Sequence, residues 1–378
     1  MLSRRIADLA GSPVRAMLET AQRPEVISFA GGLPAPDSFA DLDLPAPPLA
    51  MLQYGPTEGE PALRARIAQE LAELGLDAPA ERVLILSGSQ QGIDLAAKLF
   101  VDRGTRVAVE APAYLAALQV FRFFGADLHS LDRADPGAAW GQPESRPVLS
   151  YVTPTFQNPS GHCWSADERD ALARACDAAD VALFEDDPYR DLAYDACERG
   201  PICARLKRAS WIYQGSFSKT VAPGLRIGFL AASADLFPHL VNLKQAADLH
   251  TNRLGQWYAL RYLDDPNRAQ RLSGLVNRYR RRRDLFAASM DRHLGGLADW
   301  EVPAGGLFFW ATLKSGADTG ELLQRARRRN VLFTPGEHFF AEKPDPSASM
   351  RLNFSHADED SAERGLAILG QLLRETVV

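Results

Sequence analysis

Between residues 83 and 235 short apolar runs alternate with stretches of helical periodicity, and this alternation restricts the chain more than any other feature. The runs are VLILSG (83–88), RVAVEAP (106–112), PVLSYVTP (147–154), VALFEDD (181–187), WIYQGSFS (211–218) and IGFLAAS (227–233). Several are apolar without a period of two, as strands covered on both faces require. The clearest intervening helix opens at Ser165, with Glu168 three residues on as its capping-box partner, and runs to about Asp180. Strands alternating with crossover helices make an α/β fold with a doubly wound, mostly parallel sheet.

From Phe237 to about Arg283 the pattern reads as long helix interrupted near Asp265–Pro266, and we expect the domain boundary there. Beyond it GGLFFWATL (305–313), VLFTP (331–335) and SMRLNFS (349–355) alternate with helices from about Asp318 and about Asp358, a smaller α+β domain. The first 50 residues, rich in Gly and Pro, read as an arm. The expected division is an N-terminal arm (1–50), a large domain (51–255) and a small C-terminal domain (256–378). A length of 378 residues suits this, at roughly 150 residues per domain.

Charge narrows the partners. With 42 basic and 48 acidic residues the net charge is -6, which argues against bulk attraction to nucleic acid or an anionic membrane. The basic run Arg278–Arg283 is read as a solvated helix face and given no function. Cys163, Cys176, Cys197 and Cys203 have neither zinc-site spacing nor the density of a disulfide scaffold, so no metal is expected. Asp8 interrupts what a signal peptide would need, and no apolar run reaches the roughly 18 residues of a membrane span. A cytoplasmic protein is expected.

Three motifs carry chemistry. Lysine is rare, confined to Lys98, Lys207, Lys219, Lys244, Lys314 and Lys343, and Lys219 stands apart. In GSFSKTVAPGLRIG it follows a strand, flanked by Ser216 and Ser218, with Arg226 seven residues on. Two hydroxyls and a guanidinium around an amine suit a phosphate ester whose aldehyde condenses with that amine. A P-loop is excluded because Tyr213 and Ser218 stand where its glycines belong. The second motif, EDDPY (185–189), ends a strand where open α/β sheets place their ligands; there a carboxylate can pair with a protonated ring nitrogen and Tyr189 can donate to a phenolic oxygen. Caps or solvent-facing acids are the alternative. The third, SGSQQGIDL (87–95), runs from strand into helix and serves as either a helix cap or a phosphate cradle; it matches neither GxGxxG nor GxSxG.

Together these motifs resemble the pyridoxal-phosphate aminotransferases of fold type I, class I/II, and within them the branch of 2-aminoadipate and kynurenine aminotransferases, to which the MocR-type regulators are related. ISFAGGLPAP, LQYGPTEGEPALR, LSGSQQGIDL, EAPAY, TPTFQNPSG, EDDPY, SFSKTVAPGLRIG, PAGGLFFW and MRLNFS follow the family's order along nearly the whole chain. The resemblance implies pyridoxal 5'-phosphate as cofactor, joined covalently to Lys219, with Asp186 on its ring nitrogen and Asn158 and Tyr189 at its phenolic oxygen. It implies Tyr114 against the ring and Ser89, Gln90, Ser216, Ser218 and Arg226 around the phosphate. Tyr54 resembles a tyrosine that reaches the neighbouring subunit's phosphate, which implies a homodimer with shared sites. For the substrate, it implies Arg351 on the α-carboxylate with Asn158 beside it, and Gly31 and Gly32 in the arm lining the entrance. Arg15 matches a position where relatives carry an arginine near the substrate side chain; the alternative is a surface arginine on an amphipathic helix.

The implied activity is ping-pong transfer of an α-amino group to a 2-oxo acid. The donor would be glutamate or 2-aminoadipate, or else an aromatic or branched amino acid. A β-lyase, decarboxylase or cyclase would share every motif named. A regulator sensing an effector on the same fold would carry a winged helix-turn-helix domain before the arm, whereas only about 25 residues precede Ile27.

Overall fold

The computed structural model describes residues 4–7, 20, 23–40, 42–138, 140–344 and 346–375. Near its start Ile27–Ser28 (β1) is a short strand. The apolar runs then form Val83–Leu86 (β2), Arg106–Val109 (β3), Asp127–Ser130 (β4), Leu149–Val152 (β5), Ala182–Asp186 (β6), Trp211–Ser216 (β7) and Gly228–Ala232 (β8). They make one seven-stranded sheet in the order β2-β8-β7-β6-β5-β3-β4.

Alternation along the strands sends side chains into separate cores on the two faces. Val83 and Ile85 point to one and Leu84 and Leu86 to the other; Leu183 and Phe184 divide likewise. The first core is closed by the helices Pro61–Glu73, through Leu63, Ile67 and Leu71, and Ala166–Ala179, through Leu172 and Cys176. The second is closed by Ser89–Phe100 and Leu115–Phe124. Each fully buried Leu, Ile or Val adds about 1.5–3 kcal/mol, so the sheet is locked by both layers. The Ser165 hydroxyl accepts from the Glu168 N–H and the Glu168 carboxylate accepts from the Ser165 N–H, the expected capping box.

Two features depart from the sequence reading. β8 is antiparallel to both β2 and β7, so the sheet is parallel only from β7 to β4. β4, DLHS, is half-exposed at the sheet edge and has no apolar run to mark it.

A second sheet is antiparallel and built from Ala298–Trp300 (β9), Phe308–Leu313 (β10), Thr334–Pro335 (β12) and Ser349–Asn353 (β13), while the intervening Val331–Leu332 (β11) pairs in parallel with β1. Its core holds Phe29, Phe286, Phe309 and Phe354, with the long helix Arg268–Leu294 and the closing helix Glu359–Arg374 packed together over it. Phe29 thus buries the stretch after β1 in this third core.

The helical segment from Phe237 is broken twice. Beyond the break at Asp264–Asn267, the chain turns between Phe237–Asp248 and Arg253–Leu263, where Leu249 takes φ 65 and the Asn252 side chain caps the next helix. The basic run is not a freely solvated face. Arg280 donates to the Tyr194 carbonyl, Arg282 to the Ser355 carbonyl at 2.6 Å and to Asp37, and Arg283, itself buried, pairs with Asp195 and Asp284. These arginines tie the long helix to loops remote in sequence.

Candidate active site

The carboxyl ends of β5, β6 and β7 open on a cavity of about 310 Å³. From β6 and the turn after it come Asp186 and Tyr189; from the end of β7 come Ser216, Ser218 and Lys219, with Arg226 just before β8. Asn158 enters from the loop after β5, Tyr114 from the turn after β3, and Ser89 and Gln90 from the start of the helix behind β2. Thr153, Pro188 and Pro223 complete the lining. Parallel strands all deliver their carboxyl ends to one rim, which is why motifs more than 100 residues apart converge there.

One wall is built for an anion. The helix from Ser89 begins without a side-chain cap, leaving its first N–H groups facing the cavity beside the Ser89, Ser216 and Ser218 hydroxyls. Gly88, at φ 82, permits this turn, and a Cβ there would lie 2.4 Å from Nη2 of Arg226. Only glycine leaves the guanidinium room to approach the helix start. Arg226 itself adopts the left-handed φ of 53, a conformation costly for any residue with a Cβ and held here by the turn Pro223–Leu225. Behind the wall Gln91 donates to Asp248 at 2.8 Å and accepts from the Ser87 N–H at 2.9 Å, while buried Lys244 pairs with Asp248 at 2.7 Å. This network fixes the helix start.

The opposite end holds a buried carboxylate. Asp186 accepts from the Tyr151 hydroxyl at Oδ2 and from the Gln214 amide at Oδ1, both at 2.8 Å. Burial pushes its carboxyl up to about 6, opposed by those two donors and assisted by the charge of Asp187.

Between the two ends lies the amine. Nζ of Lys219 donates to the Gly32 carbonyl at 2.9 Å and sits 5.7 Å from the centre of the Tyr189 ring. Enclosure, then the positive charges of Arg351 and Arg226, bring it down to about 8. Asn158 Nδ2 faces the Tyr189 hydroxyl at 3.4 Å, and burial raises that phenol.

Arg351, on β13, does not line this cavity directly; it stands behind Asn158, donating to its Oδ1 at 2.7 Å. It also donates to Ala30 O and to Thr334 Oγ1 at 3.3 Å, and lies over the rings of Phe308 and Phe339. Burial brings its guanidinium down to about 10, against the pull of Tyr189 and Tyr114. Its Nε is buried without a partner among the described residues, so the fork keeps donor capacity in reserve.

Other expected residues fall elsewhere. Gly31 is buried next to Gly32 in the arm segment beside Lys219. Tyr54 is 76% exposed and does not belong to the cavity of its own chain. Arg15 lies outside the described residues. Tyr151 and Gln214 were not anticipated, although a polar residue inside an otherwise apolar run (LSYV, WIYQGS) marked each.

An anion cradle, a buried carboxylate and a lysine amine between them, with a phenol and an amide on one side, form a donor set that fits pyridoxal phosphate. The cradle matches its phosphate, Asp186 its pyridine nitrogen, and Lys219 its aldehyde. Comparison with known proteins agrees. Residues 50–369 match the family Aminotransferase class I and II. The aromatic-amino-acid aminotransferase 1 of Thermococcus litoralis is 34% identical, over 99% of this chain and 94% of its own length. The 2-aminoadipate transaminase of Thermus thermophilus is 33% identical, over 97% and 94%. A kynurenine aminotransferase of Pyrococcus horikoshii, solved in complex with PMP, superposes with a TM-score of 0.91 at 32% identity, covering 100% of this chain and 98% of its own. Cavity and comparisons together show that this chain belongs to the class I and II aminotransferases of fold type I, pyridoxal-phosphate-dependent transaminases of amino acids.

Proposed function

We propose that the enzyme moves the α-amino group of an acidic amino acid, glutamate or 2-aminoadipate, to a 2-oxo acid in two half-reactions, with aromatic or branched amino acids as the further donor classes. The convergence of Lys219, Asp186 and the Ser89–Arg226 cradle on one cavity carries this reading. When bound, pyridoxal phosphate supplies the carbonyl that takes up the amino group and a ring that accepts electron density from Cα.

The chain's own residues do the rest. Ser89, Gln90, Ser216, Ser218 and Arg226 hold the phosphate, and Tyr114 covers the ring. Asp186 holds the ring nitrogen in its protonated form. Asn158 and Tyr189 donate toward the phenolic oxygen. Arg351 binds the substrate α-carboxylate through its fork, and Gly31 and Gly32 border the entrance without side chains to obstruct it. Nζ of Lys219, brought near neutrality by its surroundings, would take the proton from Cα and return it to the carbon that the cofactor's carbonyl supplies. Arg15 is assigned to the acidic side chain of the donor.

The same reading makes the enzyme a cytoplasmic homodimer, with the arm, large and small domains divided near residues 50 and 255. Leu49, Leu52, Tyr54, Leu249 and Leu254 form an exposed apolar group, with Arg253 joining the 50–54 turn to its helix through carbonyls of Gln53 and Tyr54. Such a patch supports a second copy covering it, with Tyr54 reaching the partner's phosphate. Among the described residues no helix is long and apolar enough to cross a membrane, and no group of His, Cys, Asp or Glu is arranged to hold a metal ion.

Purified enzyme offered a panel of amino acids with 2-oxoglutarate tests the substrate assignment. The expected outcome is the highest kcat/KM for 2-aminoadipate or glutamate (the latter with another 2-oxo acid), with a 2-oxo acid as product. Release of ammonia or carbon dioxide in place of an oxo acid would contradict transamination; preference for apolar donors would contradict the acidic assignment.

The lowered Lys219 also has a stability consequence. The folded protein binds this proton less tightly than the unfolded chain, whose lysine titrates near 10.5, so the cost of burying the charge is present below about 8 and fades as pH rises toward 10.5. Cofactor-free Lys219→Met should therefore be more stable than cofactor-free wild type at pH 7, with the gap shrinking by pH 10. Urea unfolding of both at several pH values measures it; a gap independent of pH would contradict the lowered amine.

A further inference from the structure

Gln214 is buried completely and lies directly opposite Asp186 in the parallel ladder of β6 and β7. Its Nε2 donates to Asp186 Oδ1 at 2.8 Å. Two features of the surroundings are unfavourable for stability and bear directly on the placement of that amide. Its Oε1 is buried with no partner among the described residues, which costs on the order of 1–3 kcal/mol. The helix facing it carries Gly92 in its interior, where a Cβ would come within 1.8 Å of that same Oε1. Glycine inside a helix costs about 1 kcal/mol relative to alanine.

The amide has one workable orientation. Reversed, it would set its oxygen against an oxygen of the ionised carboxylate. With Tyr151 on Oδ2 and Gln214 on Oδ1, each carboxylate oxygen receives one donor from a neighbouring strand. Tyr151 is held protonated by burial and by the Asp186 charge, so it stays a donor. Burial and Asp187 favour the neutral acid; the two donors oppose them.

We infer that Gln214 is a positioning residue that keeps Asp186 ionised and aimed at the cofactor ring nitrogen, and that Gly92 is glycine in order to admit it. The inference rests on the assignment of Asp186 to that nitrogen. Without the amide the carboxylate becomes the stronger base, and the proton shared across the pair moves from the ring nitrogen to Asp186. A hydrogen bond to a charged group has the strength to shift this balance about tenfold.

The test uses holoenzyme carrying cofactor labelled with ¹⁵N in the ring. In wild type the ring nitrogen should resonate as a protonated pyridinium. In Gln214→Met, which keeps the length of the side chain and loses the donor, the resonance should move toward the unprotonated value, with kcat down about tenfold and KM for the amino donor little changed. Gln214→Leu, which also removes the donor but with a different shape, should move it as far and serves if the Met variant does not fold. A protonated wild type together with an unchanged ring-nitrogen resonance in a folded variant overturns the role of Gln214 alone. An unprotonated ring nitrogen in the wild type overturns the assignment of Asp186, and the role of Gln214 with it.

Discussion

Lys219→Ala is expected to abolish turnover, by on the order of 10⁴-fold or more, while the protein folds and still binds cofactor. The size of the effect follows from the proposed role, in which the residue supplies both the covalent attachment and the group that takes and returns the substrate proton. No neighbouring amine stands in for it. Lys98 pairs with Asp94 on the far side of the phosphate helix, Lys244 is buried against Asp248, Lys314 and Lys343 sit in surface ion pairs, and none of them lines the cavity. Removing the amine also removes an enclosed positive charge, so the cofactor-free variant should melt no lower than cofactor-free wild type. Single-turnover assays with circular dichroism and thermal melting separate the two effects. Substantial transamination by the alanine variant would refute the assignment.

Asp186→Ala should lower kcat by about 10²- to 10³-fold, equivalent to roughly 3–4 kcal/mol of transition-state stabilisation. The loss comes from the ring nitrogen, which keeps its proton only while an anion faces it. Asp186→Asn separates charge from shape. It fills the same space between Tyr151 and Gln214 and should lose nearly as much, since an amide carries no charge and would set an N–H against one of the two donors. Rates of both variants near that of wild type would count decisively against an electrostatic role for Asp186.

Much of this architecture could be read from the chain because its signals are local. Strands such as VLIL and the ALF of ALFED are buried on both faces and declare themselves by unbroken apolar runs, and the Ser165–Glu168 box marks its helix by two side chains three residues apart. The features that escaped depend on distant partners or on the chain's path. β4 is polar because it closes the edge of the sheet, and β8 runs antiparallel because of how the chain returns from the Lys219 loop. The break at Leu249 rests on one residue with positive φ. The arginines of 280–283 looked solvated because three of their partners, Asp37, Tyr194 and Ser355, are 73 or more positions away.

The site divides in the same manner. Lys219, Asp186, Asn158, Tyr189, Ser89, Gln90, Ser216, Ser218 and Arg226 lie in short motifs and line one cavity. Tyr151 and Gln214 support Asp186 from adjacent strands, and only the register of β5, β6 and β7 brings them there. Arg351 was legible as a candidate site residue, but its partners Ala30 and Thr334 were not, because they come together only through the packing of β1, β12 and β13.

Borohydride reduction of the yellow, cofactor-saturated protein, followed by peptide mapping, bears most directly on all of this. A single labelled peptide spanning GSFSKTVAPGLR, with the added mass on Lys219, is the predicted result. A label on any other lysine, or a saturated protein with no visible absorption to reduce, would contradict it.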